Sequence, residues 1–179
     1  MKTMKRIVLF FLALTLTVAA SAQHYDITKL VEIADVESND QSILSVFSIP
    51  DENGQVTCFL CVGTMGMGDE IIQIHVDPVN MLFIPLGSTR EEVMQTLERL
   101  KQHFSEPDGT TVEVTGCFAP AVPDGSRVTV TITPRKFIFS KKLEFKLERD
   151  GVTRAAYVSR SDFNNLIVNV KLNKRWLPE

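Results

Sequence analysis

Residues 42–49, Ser-Ile-Leu-Ser-Val-Phe-Ser-Ile, and residues 55–62, Gln-Val-Thr-Cys-Phe-Leu-Cys-Val, flank the segment Pro50-Asp51-Glu52-Asn53-Gly54. Both runs are apolar and rich in strand-forming residues, and Asn-Gly readily takes the positive φ angles of a tight reversal. The pattern predicts a β-hairpin. In its second run Val56, Cys58, Leu60 and Val62 share one face, while Thr57, Phe59 and Cys61 share the other. A strand that is apolar on both faces belongs inside a sheet and is covered from both sides.

Further along, residues 70–76 and 80–86 read as a second strand pair around Asp77-Pro78-Val79-Asn80, where proline suits the turn because it lacks a donor. The run Met81-Leu82-Phe83-Ile84 is nearly unbroken apolar sequence and is expected to be buried. A helix is expected over residues 88–104. Ser88 or Thr89 can cap it, Glu91 or Glu92 completes a capping box, and Val93, Leu97, Leu100 and Phe104 recur at helical spacing. In the second half Val128, Val130 and Ile132 alternate with Thr129, Thr131 and Thr133, and Leu143, Phe145 and Leu147 alternate with charged residues. Asp150-Gly151 then turns the chain into Val152–Val158. Ser161 or Asp162 can cap a C-terminal helix with Phe163, Leu166, Ile167 and Val170 on one side. Ile167, Val168 and Val170 are β-branched, however, and suit a strand equally.

Strands joined by tight turns, with one helix inserted and one appended, define an α+β fold on a mainly antiparallel sheet. A parallel doubly wound fold needs a helical crossover between most strands, and only one such connection is visible. Two Tyr and one Trp offer little for the aromatic girdles of an outer-membrane barrel. No internal repeat or low-complexity tract stands out.

Residues 1–22 follow a different logic. Lys2, Lys5 and Arg6 precede an apolar run from Ile7 to Ala20, and Ala20 and Ala22 supply small residues at its end. This is the pattern of a secretory signal peptide cut between Ala22 and Gln23. The run falls short of the roughly 20 residues that span a bilayer, so no transmembrane anchor is expected. Residues 23–179 then form one exported α+β domain in the periplasm, on the cell surface or outside the cell, and the leader looks bacterial. The composition, 44% hydrophobic and 23% charged, is that of a folded globular chain.

Few residue patterns suggest chemistry. Cys58-Phe59-Leu60-Cys61 has the spacing of a redox or zinc pair, but on a strand its ends lie roughly 10 Å apart and point to opposite faces. Both read as small core residues, and Cys58 or Cys61 remains a candidate for a disulfide with Cys117 in an oxidising compartment. His75 and Asp77 share a strand face and are weak candidates for a metal or acid–base pair, with no third ligand at a matching spacing. His24 would stand second in the mature chain, and His103 sits near a helix end. Gly63-Thr64-Met65-Gly66-Met67-Gly68 does not match a nucleotide fingerprint, and Asp35, Glu37 and Asp40 lack the other features of a calcium loop. Ser126 after Gly125 has no recognisable base. No catalytic residue, resident metal or cofactor is assigned.

Charge is segregated. Residues 23–125 carry four Lys/Arg against 17 Asp/Glu, and residues 126–179 carry 12 against five. Opposite charge on the two segments can simply hold one fold together. Arg135, Lys136, Lys141 and Lys142, with Phe137 and Phe139 interleaved, form the candidate anion-binding segment. An anionic glycan, lipopolysaccharide or an acidic envelope protein fits an exported chain, and nucleic acid does not. The expectation is a non-catalytic binding or interaction module. The alternatives are an envelope hydrolase or metal-dependent enzyme using His75 and Asp77, and an inhibitor or subunit of an envelope complex.

Overall fold

The structure, a computed structural model, describes residues 25–37, 42–64, 81–117, 127–149 and 152–173. Among them, eight strands form one antiparallel sheet in chain order. They are β1 (Val31–Glu37), β2 (Ser42–Pro50), β3 (Val56–Thr64), β4 (Met81–Gly87), β5 (Val112–Cys117), β6 (Arg127–Lys136), β7 (Lys141–Arg149) and β8 (Val152–Ser159). Helix α1 (Arg90–Gln102) follows β4, and helix α2 (Arg160–Leu172) follows β8. The fold is a single α+β domain. The leader, the strand expected at 70–76 and the turns at 77–80 and 150–151 lie outside the described residues.

The first hairpin forms as its turn chemistry demands. Gly54 has φ +79°, and the Asp51 carboxylate accepts the Asn53 and Gln55 N–H groups at 2.9 and 2.8 Å. Register then places Leu44 opposite Val62 and Val46 opposite Leu60 on one face of the sheet. Strand β3 is buried on both faces, by Cys58, Leu60 and Val62 on one and Phe59 and Cys61 on the other. Tyr25 extends the second covering. It bridges Asp51, meets Phe59 edge-on at 5.4 Å and donates its hydroxyl to Thr57.

Helix α1 begins at a complete capping box. Thr89 Oγ1 accepts the Glu92 N–H, and the Glu92 carboxylate accepts the Ser88 and Thr89 N–H groups. Gly87 permits this fold-back. Its φ is +134°, and a Cβ there would come within 2.5 Å of the Glu92 Cβ. At the C-terminus the ambiguity between helix and strand resolves to helix, and the cap is Ser159 instead of Ser161 or Asp162. Asp162 is the third helical residue, and its N–H donates to Ser159 Oγ. Phe163, Leu166, Ile167 and Val170 are buried, while Val168 points outward, as a 3.6-residue period requires.

The chain therefore runs twice through four strands and a helix, although no repeat is apparent in the sequence. The helix starts echo each other as Thr89-Arg90-Glu91-Glu92-Val93 and Ser159-Arg160-Ser161-Asp162-Phe163. The helices run antiparallel, and each first-turn arginine reaches the far end of the other. Arg90 donates to the Lys171 carbonyl at 2.6 Å, whereas Arg160 donates to Ser105 Oγ and lies over the Phe104 ring. Cations near helix C-termini satisfy orphan carbonyls and the helix dipole.

Both halves share one core. Leu44, Val46, Leu60 and Ile84 from the first join Val130, Ile132, Phe145 and Val158 from the second, closed by Leu97, Phe104, Phe163 and Leu166. The halves meet where Phe83 pairs with Cys117, and Gly116 allows the approach, since a Cβ there would lie 2.7 Å from Val130 Cγ2 and 3.0 Å from the Phe83 carbonyl oxygen. A smaller apolar cluster on the opposite face of β2–β5 contains Ile49, Phe59, Cys61, Phe83 and Cys117. Strand β1 is an edge, and α2 covers it. Asn169 and Asn173 donate side-chain N–H groups to the carbonyls of Asp35 and Ile33, which blunts an edge that would otherwise invite pairing.

Candidate functional site

Strands β6 and β7 run to the end of a long hairpin. Arg135 pairs with Lys142 and Lys136 with Lys141, and the Phe137 N–H donates to the Ser140 carbonyl at 2.7 Å. Two residues remain for the turn, Ile138 and Phe139. They are 90% and 98% exposed. Tight two-residue reversals favour Gly, Asn or Asp, and solvent favours polar groups, so both local rules are broken here. Large apolar side chains at such a point are not explained by folding.

The alternation of a strand puts Arg135 and Lys142 on one face of the hairpin and Lys136 and Lys141 on the other. On the first face Arg135 donates through two nitrogens to Glu144 Oε2 at 2.8 and 2.7 Å, and Tyr157 donates to Glu144 Oε1 at 2.7 Å. Burial on its own would push the Glu144 carboxyl up. The Tyr157 hydroxyl and the Arg135 guanidinium outweigh it and hold the group below the usual carboxylate range. Glu144 in turn pushes the Tyr157 hydroxyl up, with burial adding to the effect. Phe137 folds back on this network, edge-on to Tyr157 at 5.7 Å, and the Lys142 ammonium lies 5.7 Å from the Phe137 ring centre. Phe137 stays 43% exposed in this contact, while Ile138 and Phe139 project almost wholly into solvent.

The other face leans on the segment after α1. The Lys141 ammonium donates to the Glu106 carbonyl, the Lys136 backbone N–H to Asp108 Oδ1 at 2.6 Å, and the Gly109 N–H to the Pro134 carbonyl at 2.9 Å. His103 Nδ1 sits 2.8 Å from Glu106 Oε1, which ties this segment to the end of α1. The tip thus stands on a braced base.

All four candidate anion-binding residues come together at this end of the molecule. Their roles divide, however. Arg135 is neutralised by Glu144, Lys141 keeps its charge while donating to a carbonyl, Lys142 lies over the Phe137 ring, and Lys136 is exposed. Phe137 and Phe139 do not act as an interleaved pair, because the register sends one back onto Tyr157 and the other to the turn. Ile138 was absent from the sequence-based candidates. The signal that could have exposed it is a four-residue stretch, Phe137-Ile138-Phe139-Ser140, with no turn former between two basic pairs.

The proposed Cys117 disulfide is not formed. Cys58, Cys61 and Cys117 are all buried and none is in a disulfide. Cys61 and Cys117 share a face with Phe83 between them, so two strand spacings of about 4.8 Å separate their backbones, beyond the roughly 7 Å limit. Cys58 faces the opposite side, in the main core. Burial pushes the Cys58 thiol up to about 12, and burial together with Glu32 does the same to Cys61, so both stay protonated at neutral pH. Cys61 lies 3.5 Å from the Met81 sulfur.

His75, Asp77, His24, Asp40 and Ser126 lie outside the described residues. Asp35 and Glu37 belong to β1 instead of a loop. Among the described residues no group of three or more His, Cys, Asp or Glu is placed to hold a metal ion, and no helix is long and apolar enough to cross a membrane. Comparisons with protein-family models, curated proteins and solved structures find no match to the chain.

Proposed function

We propose that the chain is an exported, non-catalytic binding module whose contact surface is the end of the β6–β7 hairpin. The observation that carries this reading is the pair Ile138 and Phe139, almost wholly exposed at a turn and flanked by Arg135, Lys136, Lys141 and Lys142. Described groups that could have suggested chemistry serve the fold instead. Cys58 and Cys61 are protonated core residues, Glu144 cross-links three strands, and His103 braces the base of the hairpin. A binding module needs a shaped and charged surface, and this hairpin end has both.

Binding to an anionic surface is expected to weaken with added salt through screening and to fall in a Lys136→Gln/Lys142→Gln variant. Retention on immobilised dextran sulfate and on anionic vesicles, measured across a salt gradient, tests this. Binding that ignores both salt and the two substitutions contradicts the reading.

Export rests on the leader, and Tyr25, three residues beyond the proposed cut, is already built into the fold. Expressed in a bacterial host, the chain is expected outside the cytoplasm with an intact mass lacking residues 1–22. A full-length chain retained in the cytoplasm contradicts it.

A further inference from the structure

We infer that the partner of the hairpin end is an anionic lipid surface, into which Ile138 and Phe139 insert while the lysines behind them meet the headgroups. The inference rests on the binding-module reading and gives it a ligand class. The shape of the site argues for lipid. A protein partner is ordinarily met with a broad patch of about 800 Å² on each side, whereas this apolar surface is Ile138 and Phe139 at a hairpin turn with the half-exposed Phe137 beside them. A fluid layer accepts such a wedge without a preformed pocket. A dissolved glycan would recruit the cations but leave Ile138 and Phe139 in water, so their exposure would go unexplained.

The spacing is also right. Strand residues rise about 3.3 Å each, so Lys136 and Lys141 stand roughly 3–7 Å behind the turn residues. Interfacial elements bury their apolar faces about 5–10 Å deep at the boundary of headgroups and acyl chains. With Ile138 and Phe139 at that depth, the backbone positions of Lys136 and Lys141 fall at headgroup level. Phe137, held against Tyr157, keeps the base of the hairpin stiff, and the Arg135–Glu144–Tyr157 network fixes its angle.

The test places a fluorescent reporter at the tip. Trp176 is the single tryptophan of the chain, so a Trp176→Phe/Phe139→Trp variant reports from the turn alone. It is titrated with phosphatidylcholine vesicles, with vesicles that also contain phosphatidylglycerol, and with lipid-free dextran sulfate. The expected result is a blue shift and quenching by brominated acyl chains on the phosphatidylglycerol vesicles, and a water-like spectrum in the other two arms. Adding Lys136→Gln or Lys142→Gln is expected to weaken vesicle affinity about fivefold per lysine. Salt-dependent binding to dextran sulfate with no blue shift on any vesicle overturns the lipid inference and leaves the module reading standing. An equal shift on neutral vesicles also overturns it. No binding in any arm overturns both.

Discussion

Replacing Phe163 with alanine is expected to destabilise the whole chain by about 3–5 kcal/mol in a single cooperative transition. Phe163 is fully buried and meets Phe104, in the 3-10 turn His103–Ser105 that follows α1, edge-on at 6.0 Å, so it ties α2 to the end of α1 in the core. That core draws on both four-strand units, and neither helix packs on its own unit alone: α2 leaves β8 and lies against β1 and β2. A cavity at Phe163 therefore loosens both halves together. Denaturant unfolding followed by far-UV circular dichroism and by hydrogen exchange of core amides in both halves checks it. Coincident midpoints, both lowered, are expected. Two separated transitions, or a loss below about 1 kcal/mol, would show that the halves are separate units. With whole-domain stabilities of about 5–15 kcal/mol, the variant should still fold at low denaturant.

The sequence makes some of this architecture legible and conceals the rest for physical reasons. Helix α1 is readable because Thr89 and Glu92 form a local signal and the apolar period confirms it. Helix α2 is readable in its buried face, but its cap lies earlier, because Ser159 ends a strand and starts a helix at once. Strand β1 is hidden by its bulge. Between Glu32 and Ala34 the register slips, so Ile33 and Ala34 are both buried and the period of two is broken. Strand β5 is short, and Gly116 removes an apolar marker where close approach matters most. Sheet order cannot be read locally either, which is why Cys117 could be offered as a disulfide partner although Phe83 separates it from Cys61.

The proposed contact surface is half legible. Four cations within eight residues mark an electrostatic feature in any conformation. Which aromatic residue projects depends on hairpin register, and the pairing of Phe137 with Ser140 decides it. Two residues that look equivalent in the sequence therefore differ in exposure, Phe137 leaning on Tyr157 and Phe139 almost wholly in solvent.

On the proposed reading Ile138 and Phe139 serve contact and contribute little to folding. Exchanging both for the turn pair their position prefers, Ile138→Asn with Phe139→Gly, removes exposed apolar surface and supplies the residues favoured in a tight reversal. Each apolar side chain is worth about 1.5–3 kcal/mol on full burial, so losing both should reduce affinity for an anionic vesicle by far more than tenfold. The deciding measurement is the folding stability of this double variant alongside its vesicle affinity. Stability within about 0.5 kcal/mol of the parent, or above it, together with lost binding is the predicted outcome. A variant that loses more than about 1 kcal/mol of stability, or that binds vesicles as the parent does, would contradict the account.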